Sequence, residues 1–339
     1  MNKPLSQRIS AAVIDLFREA CQVSWILFKI MIPVIIVVKL LTVSGAIHYV
    51  GLALSPLMNL VGVPGEMGLV WATTMLVNLY GALVVFVALL PDTPVTVGQV
   101  TILASMMLIA HALPVELGIT RKAGSYLLPM GLIRCGGALL YGCLLNLYFR
   151  VTGTGQGVPN ILLTPAAEDP SLGVWVQSEL LNLGSIFLIL LALLTLIRLL
   201  RWLKVTDWLE RILSPVLTCL GMSPLVAEMT VVGMTLGLSF GGGIIIHRAN
   251  EGRIPARDVF LSLVLMSLCH GLIEDTLLML AMGGHVAGIL LGRLLFGLVF
   301  TYALVRLLAL LAPANVERYL YQTREPKETE KSERFMVSP

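Results

Sequence analysis

The chain alternates between long apolar runs and short polar segments. The runs Met67–Pro91 and Leu180–Ile197, for example, contain no Asp, Glu, Lys or Arg. Each is close to the roughly 20 residues that an α-helix needs to cross a hydrocarbon core about 30 Å thick. Of the 339 residues, 57% are hydrophobic and 13% are charged, against about 25% charged residues in a soluble domain. The pattern excludes a water-soluble globular protein and predicts an all-α, polytopic membrane protein.

An internal repeat organises the chain. When the sequence is aligned with itself at an offset of 159 residues, ionisable residues of the same kind coincide, namely His111 with His270, Glu116 with Asp275, and Arg134 with Arg293. Sparse residues that coincide at a single offset indicate a tandem repeat.

The repeat predicts five parts of the chain. These are an N-terminal amphipathic surface helix (1–21), membrane repeat 1 (22–150), an extracytoplasmic linker (151–178), membrane repeat 2 (179–311) and a cytoplasmic tail (312–339). The linker is rich in Gly, Pro and Thr, which favour loops over helices. Crossing helices are predicted over 22–38, 98–120, 126–149, 181–197, 258–281 and 286–311.

Each repeat also contains an apolar segment interrupted by small residues, over 66–90 and 225–247. The first centres on Asn78-Leu79-Tyr80-Gly81 and the second on Phe240-Gly241-Gly242-Gly243, where successive glycines favour a turn. We interpret both segments as re-entrant helical hairpins. Three crossings per repeat then bring the second repeat into the bilayer from the opposite side. The prediction is an inverted-topology tandem repeat of six transmembrane helices plus two hairpins.

The distribution of Lys and Arg favours this topology. If both broken segments re-enter and the N-terminus is cytoplasmic, most of the 23 Lys and Arg residues lie on the cytoplasmic side. If both segments cross instead, the basic loop at Arg121-Lys122 moves outside. We therefore expect a multi-pass protein of the bacterial inner membrane with both termini in the cytoplasm. Irregular backbone at membrane depth must be buried or line a wet cavity, which predicts a cavity between the hairpin tips.

Two ion pairs are predicted inside the membrane. Residues equidistant from the turn of a helical hairpin lie at equal depth. Glu116 and Arg134 are centred on residue 125, while Asp275 and Arg293 are centred on residue 284. Each repeat thus places a carboxylate and a guanidinium at the same depth in the membrane. One interpretation is that the pairs only fix the packing of the helices. The other is that the arginines, whose guanidinium groups present several N–H donors in one plane, also help to bind an anionic group.

His111 and His270 precede these carboxylates in both repeats. Pro114 follows the first histidine and is expected to kink or widen its helix. The second histidine is four residues before Glu274, which predicts a shared helix face. Three roles stay open for the histidines: contact with substrate, proton coupling and metal ligation. The sequence has no HExxH or P-loop motif, and we do not expect an enzyme.

The sequence resembles the nucleoside-recognition ("Gate") membrane proteins in the segment from His111 through Glu116 to Gly124. The corresponding segment of the second repeat, from His270 to Asp275, shows the same resemblance more weakly. That group is similar to the spore maturation proteins and to the gate segments of ferrous-iron permeases and concentrative nucleoside transporters. The resemblance covers both repeats. It implies an inner-membrane protein of inverted repeats and re-entrant hairpins that moves a small solute.

Together these patterns predict a secondary transporter for a small solute, such as a nucleoside or another small organic anion. The lipid bilayer, a small-molecule substrate and a second copy of the chain in a homodimer are the expected partners, with no nucleic acid. No cofactor is expected, although protons or sodium ions are candidates for coupling. The expected substrate-binding residues lie at the hairpin tips and on the helices beside them: Asn78, Tyr80, Gly81, His111, Glu116, Ser239, Phe240, Gly241, Gly242, Gly243, His270 and Glu274.

Three alternatives stay open. A divalent-metal permease would use as ligands the histidines and carboxylates His111, Glu116, His270, Glu274 and Asp275. A carrier of a lipid-linked anion would need the arginines and an apolar opening toward lipid. A non-transporting membrane assembly factor would keep the ion pairs for stability and leave the hairpin tips packed shut.

Overall fold

The computed structural model describes residues 5–163, 171–238, 243, 245–247, 254–311 and 317–322. Regular structure in these ranges is helical, with no strand. The helices are α1 (Leu5–Val43), α2 (Ala46–Leu60), α3 (Met67–Leu76), α4 (Leu79–Leu89), α5 (Val97–Ile109), α6 (Leu113–Lys122), α7 (Leu127–Thr152), α8 (Leu172–Trp202), α9 (Val205–Cys219), α10 (Pro224–Leu236), α11 (Ala256–Leu268), α12 (Glu274–Ala281), a π-helix (Ala287–Gly292) and α13 (Arg293–Leu308).

Five helical stretches among the described residues are long and apolar enough to cross a membrane. They are Val13–Val43, Val97–Lys122, Leu127–Thr152, Leu172–Leu200 and Ala287–Leu308. Of these, Val97–Lys122 comprises α5 and α6 together with the short non-helical stretch between them. The crossing predicted over 258–281 is divided between α11 and α12, and neither helix reaches the length of a full span. The all-helical membrane class is confirmed, while the inverted repeat and the sixth crossing stay predictions.

Helix α1 is continuous for 39 residues. The predicted surface helix and the first predicted crossing therefore form one helix, with no boundary near residue 21. The reason lies in the sequence, because no glycine or proline occurs between Leu5 and Ile32. Pro33 is the first residue of the helix that removes a backbone donor.

Contacts between helices divide the chain into two compact units. The first unit comprises Met1–Met107, Gly142–Lys204 and Ile273–Ile289. Within it, α1 packs against α2, α4 and α8, while α8 also contacts α12. Apolar side chains supply its core, including the fully buried Met31, Met58 and Phe86.

The first broken segment consists of α3 and α4, which pack against each other. Between them, Asn78 adopts an extended conformation, and its side-chain oxygen accepts a hydrogen bond of 2.8 Å from the backbone N–H of Gly81. This N-cap satisfies a donor at the start of α4 and fixes the break at the predicted position. The depth of this hairpin in the membrane stays a prediction.

The second unit comprises Leu108–Tyr141, Val205–Leu272 and Leu290–Pro339. Within it, α10 packs against α9 and α11, and α11 packs against α13. The second predicted hairpin begins with α10, which ends before Gly237, where φ is +93°. Its predicted tip residues Ser239, Phe240, Gly241 and Gly242 lie outside the described residues.

A short C-terminal segment of this unit docks on the turn between α6 and α7. The backbone N–H of Tyr126 donates to the carbonyl of Leu320, and that of Gln322 donates to the carbonyl of Gly124, at 3.0 and 2.8 Å. Tyr321 is buried, and its ring lies 5.5 Å from that of Phe260. Backbone and aromatic contacts together therefore hold this segment in place.

Candidate functional site

The first histidine lies where the chain leaves the helix between α5 and α6. Helix α5 ends at Ile109, and Ala112 adopts a left-handed conformation with φ of +44°. Pro114 lies in the first turn of α6, where a missing N–H costs nothing. The sequence predicts a kink here, and the structure has a full break that holds His111 in irregular backbone.

The second histidine lies in an equivalent break between α11 and α12. Residues 269–273 are not helical, and Gly271 supplies a positive φ of +58°. The backbone N–H of Leu272 donates to the carbonyl of Met234 on α10 at 3.1 Å. The expectation that His270 and Glu274 share a helix face is therefore wrong, because no continuous helix joins them.

Each histidine ring is held by a carbonyl of the helix that precedes it. Nδ1 of His111 lies 3.2 Å from the carbonyl of Leu108, and Nδ1 of His270 lies 2.6 Å from that of Met266. Because a carbonyl only accepts hydrogen bonds, each Nδ1 carries the proton, and a neutral ring then has its lone pair on Nε2. Each Nε2 atom is thus left as an acceptor.

The two Nε2 atoms meet one oxygen of Glu116. Nε2 of His111 and Nε2 of His270 lie 3.1 Å apart, and each lies 3.1 Å from Oε1 of Glu116. We call these three atoms the His–His–Glu triangle. All three side chains are buried. With neutral rings and an ionised carboxylate, every corner is an acceptor, so the arrangement requires a proton or another cation to hold it together.

Arg134 on α7 orients the carboxylate. Its Nη1 forms an ion pair with Oε2 of Glu116, as the spacing around the α6–α7 turn predicts. Its Nε donates a 2.9 Å hydrogen bond to the carbonyl of Ile109. That carbonyl is available because the helix breaks after Ile109 and no residue four positions later donates to it. Nη2 of Arg134 is buried without a hydrogen-bond partner among the described residues.

The other predicted site residues divide between the two units. Asn78, Tyr80, Gly81 and Glu274 belong to the first unit. Gly243 is a helical residue of the second unit. Asp275 belongs to the first unit and Arg293 to the second, and the pairing of these two residues stays a prediction.

Sequence reasoning missed the convergence of the two histidines on a single carboxylate. It placed His111 and His270 in symmetric positions, one beside each pair of charges. It also did not identify the individual backbone acceptors at Leu108, Met266 and Ile109, since carbonyls have no sequence signature. The one available signal was Pro114, which predicts carbonyls freed near the site.

Comparisons with known proteins agree with a membrane location. No protein-family model and no solved structure matches the chain. The chain is similar to the "uncharacterized membrane protein YvoD" of Bacillus subtilis (strain 168), with 27% identity over 290 residues that cover 84% of this chain and 90% of that protein. The resemblance to nucleoside-recognition proteins stays a prediction. This similarity and the five long apolar helices identify the chain as a membrane protein.

Proposed function

We propose that this protein is a transporter that moves a small solute across the membrane, with the His–His–Glu triangle and Arg134 as its polar site. The observation that carries the proposal is the meeting of ionisable side chains at breaks in apolar helices. His111 and His270 lie in such breaks, and both contact Glu116.

The energetic cost of this arrangement supports a functional role. An ionisable residue at the centre of a bilayer costs about 2.5 to 3.5 kcal/mol on insertion scales, so such residues persist mainly where they serve a pathway or a site. Discontinuous helices are also associated with binding sites, because transporters commonly bind their substrates where helices unwind. Here both features occur at the same place in the second unit.

The main competitor is a membrane assembly factor in which the buried pair only stabilises the fold. The chemistry of the triangle favours transport over that role. A stabilising pair needs one carboxylate and one guanidinium, which Glu116 and Arg134 already provide. Two further acceptors beside the same carboxylate add repulsion and contribute nothing to such a pair, whereas a site for a cationic or protonated solute needs them.

Transport is tested with the full chain reconstituted in lipid vesicles. A panel of nucleosides, small organic anions and divalent cations is offered outside, and accumulation inside is measured with and without a proton or sodium gradient. The proposal expects accumulation of at least one class, reduced to the level of empty vesicles by Glu116→Gln. Asp15→Asn, which removes an exposed carboxylate on α1, is the matched control and keeps full uptake.

The outcome also separates the transporter from the assembly factor. Because Glu116→Gln leaves a buried guanidinium without its anion, the variant is first checked for folding by size-exclusion chromatography. Glu116→Asp, which keeps the charge, serves as a second variant. Vesicles of folded wild-type protein that accumulate none of these solutes under any gradient would contradict the proposal.

A further inference from the structure

We infer that the His–His–Glu triangle is a binding site for a divalent transition-metal ion of the Zn²⁺ class. The ligands are Nε2 of His111, Nε2 of His270 and Oε1 of Glu116. The inference specifies which class of solute the proposed transporter would bind at this site. The claim that the ion is moved across the membrane rests on the proposed function. Binding of the ion stands on the geometry alone.

The dimensions of the triangle match a metal site. Zn²⁺ binds imidazole nitrogen and carboxylate oxygen at about 2.0 to 2.2 Å, which sets neighbouring ligands of a tetrahedron about 3.4 Å apart. The three edges of the triangle are 3.1 Å each. For such edges, a point about 2.1 Å from all three corners lies about 1 Å out of their plane. One ion therefore reaches all three ligands with only small movements.

The surroundings of each ligand follow the pattern of metal centres. A metal-ligating histidine almost always donates its second ring N–H to a carbonyl or carboxylate, which fixes the tautomer and aims the other nitrogen. Leu108 and Met266 supply these carbonyls. The second oxygen of Glu116 is held in the same way by Arg134, which leaves Oε1 directed at the histidines. All three ligand atoms are thus oriented before an ion binds.

The donor set selects the metal. Two imidazole nitrogens and one carboxylate oxygen suit Zn²⁺, Fe²⁺, Co²⁺ or Ni²⁺, whereas Mg²⁺ and Ca²⁺ prefer oxygen ligands throughout. Three protein ligands with a fourth position for water or another ligand are the arrangement of open rather than closed zinc sites. We therefore expect a borderline divalent ion bound reversibly.

Arg134 sets the strength of binding. Its guanidinium neutralises the charge of Glu116, so the ion gains less electrostatic stabilisation than it would from an uncompensated carboxylate. A site that passes its ion onward must bind it weakly enough to release it. The arginine thus favours exchange of the ion over permanent retention. The three ligands of the triangle do not include a thiolate.

The test uses metal ions alone and the purified full chain in detergent. After treatment with a chelator and its removal, the protein is titrated with Co²⁺ while visible absorption is recorded, and then with Zn²⁺ as competitor. We expect one ion per chain, a tetrahedral Co²⁺ spectrum, and loss of that spectrum when Zn²⁺ is added. Mg²⁺ at the same concentration is expected to leave the spectrum unchanged.

Two variants test the ligands without removing the buried ion pair. His270→Gln deletes one imidazole and Glu116→Asp withdraws the carboxylate oxygen while keeping the charge beside Arg134. Each is expected to weaken Co²⁺ binding by more than about 100-fold, since the loss of a supporting residue alone costs 10- to 100-fold. His48→Gln, at an exposed histidine of α2, is the control and binds as the wild type does.

Every outcome decides between the two proposals. Absence of saturable Co²⁺ binding by folded wild-type protein overturns the metal site, and so does equal binding by all variants. If the wild type binds no metal yet vesicles accumulate an organic solute, the triangle holds a proton and only the proposed function survives. If metal binds through the triangle but no solute accumulates, the metal site stands and the proposed function falls.

Discussion

Arg134 offers the sharpest test of how the site is built, because its side chain is fully buried and makes two defined contacts. Arg134→Met removes the ion pair with Glu116 and the hydrogen bond to the Ile109 carbonyl, while keeping most of the side-chain volume. Breaking a buried pair from one side costs about 3 to 5 kcal/mol, because the remaining charge is left buried. Glu116→Gln is expected to cost a similar amount from the other side.

The informative measurement is the double variant. Once both charges are gone, neither uncompensated charge remains, and the combined loss is expected to be about 3 kcal/mol smaller than the sum of the single losses. At roughly 2 °C per kcal/mol, each single variant lowers the apparent Tm by about 6 to 10 °C, and the double variant by much less than the sum.

The assay is thermal unfolding in one detergent at one heating rate, because unfolding of such a protein is expected to be irreversible. Asp15→Asn, at an exposed site on α1, controls for the loss of a carboxylate as such. Strict additivity of the two single losses would refute the reasoning, since it would mean that the two charges do not stabilise each other in the folded protein.

Three further predictions address the helix break, the docked segment and the topology. Ala112→Gly relieves the left-handed backbone between α5 and α6 and is expected to raise stability by about 1 kcal/mol, seen as a higher apparent Tm; a lower Tm would contradict the assigned φ. Tyr321→Ala removes a buried ring and is expected to cost roughly 3 kcal/mol, whereas Tyr319→Ala, at an exposed ring, changes the Tm little. Single cysteines at Asp92 and Gly252 in a cysteine-free chain are expected to react with a membrane-impermeant reagent from opposite faces; labelling of both from one face would refute the inverted repeat.

The class of fold follows from the sequence because apolar runs of spanning length have few alternative structures in water or lipid. The break at Asn78 lies at the predicted centre of the first broken segment, and the Asn78 side chain caps the helix that follows it. Local signals fail at the start of the chain. An amphipathic face suggests a separate surface helix over 1–21, yet continuous helix-forming residues join it to the first crossing.

The site was predicted in part for a similar reason. The Glu116–Arg134 pair depends on one hairpin, whose geometry is set by its turn, so spacing alone brings the two residues together. The contact between His111 and His270 depends on how segments 159 residues apart pack, and no periodicity encodes that. The orienting carbonyls depend on helix breaks whose positions are fixed only by the folded backbone.

The docked C-terminal segment imposes an order on biosynthesis. The corner at Gly124–Tyr126 joins the two helices that carry Glu116 and Arg134, yet its partner at Leu320 is 195 residues further along the chain than Ser125. Membrane helices insert while the chain is being synthesised. The backbone groups of this corner that bond to the C-terminal segment therefore lack those partners until most of the polypeptide has been made. A nascent chain stalled before Leu320 would carry all three ligands of the proposed metal site without the contacts that hold this corner in place.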